Sequence, residues 1–98
     1  MTRALVLRAE AEQEIVAAAE WYESRGSGLA AEFLRSIDAA LAAVERGPLQ
    51  HAEVLPGFRR CLLKRFPYSL IFSVSDQDVV VLACTHWRQN PRRWQRRP

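Results

Sequence analysis

The residues best able to do chemistry gather at one end of the sequence, in His86-Trp87-Arg88-Gln89-Asn90-Pro91-Arg92-Arg93-Trp94-Gln95-Arg96-Arg97-Pro98. That stretch holds five arginines, two of the three tryptophans, one of the two histidines and no acid. Upstream, Arg59, Arg60, Lys64 and Arg65 place four more cations within a short span. An imidazole titrates near ~6.5 and can move a proton at neutral pH. Cations beside it can hold the charge that builds when a 2′-hydroxyl attacks a neighbouring phosphate. His86 for proton transfer, with Arg59, Lys64 and Arg88 as charge stabilisers, is therefore a candidate catalytic set. The competing reading is structural, with His86 ending a strand and bonded to the tail or to a carbonyl. The basic residues can also dock a partner, and Arg59, Arg60, Arg65, Trp87, Arg88, Arg92 and Arg93 form that candidate surface.

Other chemistries lack their residues. Cys61 and Cys84 are far apart and form no Cys-x-x-Cys or close Cys/His pair, which argues against zinc and for buried reduced thiols. No cofactor or metal is expected. Glu10, Glu12, Glu14, Glu20 and Glu23 read as the solvated face of one helix, not as paired catalytic acids. Tyr22 and Tyr68 sit on apolar stripes, so packing with one satisfied hydroxyl is the expectation for each. Trp21 points elsewhere on its helix and is available to a partner.

Charge is divided along the chain. Residues 1–53 carry nine acids and five bases, and residues 54–98 carry two acids and nine bases. A basic half of this kind suits nucleic acid or an anionic protein surface. With 98 residues there is room for one core, so residues 1–98 are read as a single domain. The longest apolar run, Val79 to Cys84, is far too short to span a bilayer, and no signal-peptide core opens the chain. A cytoplasmic location is expected.

The elements that must position these residues follow from periodicity. Residues 3–8 read as a first strand. From about Ala9, the spacing of Ala11, Ile15, Ala18 and Tyr22 marks one face of a helix, closed by Gly26 and Gly28. A second helix from about Leu29 carries Ala30, Phe33, Ile37, Leu41 and Val44 and stops at Gly47-Pro48. A connection this short makes the two helices an antiparallel hairpin. Phe58 to Phe66 reads as a strand with Phe58, Leu62 and Phe66 on one side. Tyr68 to Val74 follows as a half-buried strand, Ser75 to Asp78 as a turn, and Val79 to Thr85 as the last strand. The expected fold is α+β, in the order β-α-α-β-β-β, with the helical hairpin packed on a twisted, mainly antiparallel sheet.

Taken together, Trp21-Tyr22-Glu23, Gly28-Leu29, Phe33-Leu34, Pro56-Gly57-Phe58-Arg59-Arg60, Lys64-Arg65-Phe66-Pro67-Tyr68, Ala83, His86, Pro91 and Trp94 resemble the RelE/ParE superfamily of bacterial toxins, in order and over nearly the whole chain. The resemblance implies the toxin of a type II toxin–antitoxin module, of the plasmid-stabilisation kind, neutralised by a cognate antitoxin encoded beside it. Two mechanisms divide the superfamily. RelE-like members cut messenger RNA on the ribosome, and ParE-like members inhibit DNA gyrase by protein–protein contact. The long, alanine-rich hairpin looks ParE-like. Related tails carry arginine three residues after the histidine, where this chain has Gln89, which can bond a phosphate without neutralising it. RelE-like nucleases also present a tyrosine near the end, where this chain offers only Trp87 and Trp94. Both departures favour protein binding over RNA cleavage. The remaining alternatives are an inactive family member and a basic nucleic-acid-binding module. In the family ending, Trp94 folds back to cap the core.

Overall fold

A computed structural model describes residues 3–88 and Trp94. Strand β1 (Ala4–Leu7) leads into helix α1 (Ala9–Arg25) and helix α2 (Leu29–Arg46). A 3-10 turn (Pro48–Gln50) precedes β2 (Glu53–Leu55), β3 (Phe58–Leu62), β4 (Tyr68–Val74) and β5 (Asp78–His86). The expected α+β order therefore holds, with one strand more than the periodicity gave. β2 has three residues, too few to show an alternation, and it folds back on β3 through Pro56-Gly57. Gly57 has φ +84 in that turn, where a side chain would be strained.

The five strands lie in the order β1-β5-β4-β3-β2. All neighbours are antiparallel except β1, which runs parallel to β5 with Leu5 opposite Val79. The helical hairpin covers one face. Ala11, Ile15, Ala18 and Ala19 of α1 and Phe33, Ile37, Ala40 and Val44 of α2 meet Cys61, Leu70, Phe72, Val79, Val81 and Cys84 of the sheet. Alanine on α1 lets the helix axis approach the strands closely, while α2 supplies the bulk. At the end of the hairpin, Tyr22, Phe33, Phe66 and Tyr68 form an aromatic cluster with ring centroids 4.9–6.2 Å apart.

β4 is not the half-buried strand its alternation suggests. Ser69, Leu70, Ile71 and Phe72 are all buried, because the second face is covered too. There Trp94 seats on Ile71 and Ala83, flanked by Val54, Leu55 and Phe58. The family ending's expected cap is thus present, on the face away from the helices. An irregularity between β4 and β5 makes this possible. Ile71 pairs Ala83 but Phe72 pairs Val81, so Leu82 is an extra residue. The bulge changes parity within β5. It lets Val79, Val81 and Cys84 share the helix-side core while Ala83 faces Trp94.

β3 also departs from expectation. It ends at Leu62, not at Phe66, and Phe58, Leu62 and Phe66 do not share a side. Phe58 packs with Trp94, Leu62 is half exposed, and Phe66 enters the aromatic cluster after the chain turns. Arg65, in that turn, holds φ 72.

Two carboxylates assigned to a solvated helix face do structural work. β1 ends opposite Val81, leaving the rest of that edge of β5 without a strand. Glu14 Oε1 accepts the Cys84 N–H there at 3.0 Å. Glu23, near the end of α1, accepts the N–H groups of Gly28 (3.2 Å) and Ala30 (3.0 Å). It caps α2 in place of Gly28, the N-cap residue, which has no side chain. The bonds from Ala30 and then Gly28 pull the Glu23 carboxyl below its ordinary pKa. A depressed carboxylate stabilises the fold above its unfolded pKa, near ~4.3, and that stability is lost as pH falls through the folded value. Glu23→Gln is therefore expected to melt below wild type at pH 7. The gap should close in melting curves taken below about pH 4, whereas a gap unchanged by pH would remove the capping account.

Candidate functional site

The structure keeps His86 and Arg88 together and places the other candidate catalytic residues, Arg59 and Lys64, elsewhere. Arg59 faces the helix side of β3, opposite Phe72. Its Nη1 donates to the carbonyl oxygens of His51 (2.6 Å) and Leu49 (3.3 Å), and its Nη2 lies 3.6 Å from Glu53 Oε1. The guanidinium ties the segment after α2 onto the sheet. Arg60, next along the strand, points to the other face, as an extended chain requires. There it lines a cavity of about 200 Å³ with Ser69, Thr85, His86, Trp87 and Trp94.

His86 ends β5. Its Nδ1 accepts the Arg88 N–H at 3.1 Å, which assigns the ring proton of the neutral form to Nε2. The ring stands edge-on to Tyr68 at 5.2 Å. This is the strand-end arrangement named above as the structural alternative. Trp87 is 58% exposed and Arg88 is exposed beside it. Arg92 and Arg93, like Gln89 and Pro91, lie outside the described residues.

Lys64 and Arg65 are elsewhere. They line a groove of about 330 Å³ between α2 and the β3–β4 turn, with Arg35, Arg46, Ala39 and Ala43 opposite. Reading along the sequence missed Arg35 and Arg46. Their shared helix face with Ala39 and Ala43 was available from the spacing, but the turn that faces them was not. A third, open recess of about 540 Å³ holds Glu14, Trp21, Tyr22, Tyr68, Cys84 and His86. Burial raises the pKa of both phenols, whose rings pack together in the aromatic cluster. Trp21 is half exposed with Arg25 over its ring at 4.8 Å. The Cys84 thiol is pushed up to about 12, first by burial and then by Glu14, so it is no nucleophile at neutral pH. No group of three His, Cys, Asp or Glu residues that could hold a metal occurs among the described residues. Nor is any helix of theirs long and apolar enough to cross a membrane.

The architecture is that of a small α+β toxin fold. The chain superposes on a solved structure described as the chromosomal ParDE TA system from P. aeruginosa with a TM-score of 0.77. That match covers 87% of this chain and 96% of the other at 21% identity, so it speaks for the fold. No curated protein matches in sequence. The model of the family described as the ParE toxin of type II toxin–antitoxin system, parDE, matches residues 5–91. The chain belongs to the ParE toxin family.

Proposed function

We propose that this toxin is held inactive by a cognate antitoxin and, when released, inhibits DNA gyrase by protein–protein contact, without turnover. The observation that carries this reading is the separation of the groups RNA cleavage would need. Arg59 is engaged with backbone carbonyls, Lys64 lies in the groove beside α2, and His86 accepts an N–H on the sheet's far end. A proton donor, a base and a charge clamp around one phosphate must converge within hydrogen-bond reach, and these do not. Trp87, Arg88 and Arg60 remain exposed at one edge and suit a protein target.

Ribosome-dependent RNA cleavage keeps two supporting features, the shared cavity of Arg60 and His86 and the nearness of Arg88, whose backbone N–H bonds the His86 ring. One experiment separates the two. Purified, antitoxin-free protein is added to a gyrase supercoiling assay and, in parallel, to a translation reaction. Blocked supercoiling with intact messenger RNA is expected. Unaffected supercoiling with codon-phased breaks would install the nuclease reading instead.

A further inference from the structure

The groove between α2 and the β3–β4 turn gathers four cations. Arg35 and Arg46 line it from the helix, and Lys64 and Arg65 from the turn, against the single acid Glu32. None of these four cations makes an ion pair with a described residue. Like charges gathered around one groove repel one another, so their placement works against the isolated fold. Arg65 adds a second cost. It is the one described non-glycine residue at positive φ, a position glycine would occupy without strain. A long cationic side chain thus stands where the backbone favours glycine.

The floor is narrow and apolar. Ala39 and Ala43 present only methyl groups, and Leu62 and Phe66 close the far side. α2 meets this turn through few polar ties, among them the Ser36 hydroxyl donating to the Lys64 carbonyl at 2.8 Å. The helix and the turn are fastened there, and the furrow stays open beside them. Small residues admit another backbone closely, and a cationic rim over an apolar floor fits a segment with one apolar and one acidic face. Nucleic acid fits less well, because single strands need exposed rings to stack on. Phe66 is packed into the aromatic cluster, and the exposed Trp21 and Trp87 stand at other recesses.

We propose that this groove seats an acidic, amphipathic segment of the antitoxin, its apolar side on Ala39 and Ala43 and its carboxylates on Arg35, Arg46, Lys64 and Arg65. The inference rests on the toxin–antitoxin reading given above and names the surface that reading leaves open.

The test uses the purified cognate antitoxin, titrated calorimetrically into the full-length toxin. The doubly reversed variant Arg35→Glu with Lys64→Glu is compared with Arg25→Glu, a single reversal at the Trp21 end of α1. Ala39→Trp fills the groove without changing charge. Circular dichroism melts establish that each variant is folded. The double reversal and Ala39→Trp are each expected to weaken binding at least about 30-fold, the lower end for truncating buried interfacial charge pairs, while Arg25→Glu changes it little. Comparable losses for Arg25→Glu would mean that net charge alone drives association, and would overturn the groove. Tight binding by every variant would overturn it too, with the toxin–antitoxin reading intact. If wild type itself binds nothing, that reading fails and takes the groove's occupant with it. Loss of single-stranded DNA binding in the groove variants, with antitoxin binding unchanged, would reassign the groove to nucleic acid.

Discussion

Trp94→Ala is expected to destabilise the protein by about 3–5 kcal/mol, the range for truncating a buried aromatic residue. Trp94 is 3% exposed, and its ring meets Phe58 at 5.2 Å over Ile71 and Ala83. Its removal opens the second face of the sheet to water, so the loss includes burial of strand residues as well as of the indole. Single domains are stable by only about 5–15 kcal/mol, and a domain near this size loses roughly 4–8 °C of melting temperature per kcal/mol. A fall of at least about 12 °C is expected on those figures. Fluorescence supplies an independent check. Trp21 and Trp87 are 51% and 58% exposed, so blue-shifted native emission must come from Trp94. The alanine variant should emit when folded at nearly the wavelength of the unfolded chain. A variant that melts within about 2 °C of wild type, well inside the per-kcal/mol shift, would mean that Trp94 does not cap the sheet in solution.

Phe33→Ala attacks the other core. Phe33 has no exposed surface, and it stacks on Tyr22 at 5.3 Å while meeting Phe66 and Tyr68 edge-on at 5.3 Å each. Truncation should cost about 3–5 kcal/mol in urea unfolding, with aromatic pairs of this geometry contributing roughly 0.5–1.5 kcal/mol apiece beyond area. Phe33→Leu keeps most of the volume but none of the ring contacts, so it should fall between wild type and alanine. If leucine proves as damaging as alanine, ring geometry outweighs burial. If both cost under about 1 kcal/mol, the cluster collapses around the gap far more completely than cores do.

What could be read from the sequence was whatever repeats. The stripe from Phe33 to Val44 and the glycines around Ser27 defined the hairpin, and the run from Val79 defined an inner strand. Features lasting one residue were invisible. The extra Leu82 in β5 puts Cys84 rather than Ala83 on the helix side, and nothing in Val79-Val80-Val81-Leu82-Ala83 announces it. Glu14 and Glu23 look like other surface carboxylates, because their partners are the N–H groups of Cys84, Gly28 and Ala30, and backbone leaves no mark on sequence. Of the candidate site, the types were legible and the grouping was not. Arg59 and Lys64 lie close in the chain, yet one anchors a loop and the other rims a groove. Arg35 and Arg46 belonged beside Lys64 and went unnoticed, since proximity across a sheet and a helix depends on register.

The parallel pairing of β1 with β5 has a kinetic consequence. Leu5 and Val79 are neighbours in the sheet although most of the chain lies between them. Bringing them together requires closing a long loop before any contact rewards it, which slows folding. During synthesis the helical hairpin can form early from local contacts. Part of its apolar stripe must wait for the strand that joins β1 to the rest of the sheet, and that strand is the last one made. The nascent chain thus carries the apolar face of α1 uncovered until β5, which it packs against, arrives between β1 and β4. A toxin built this way acquires its finished surface only once its last strand has been made.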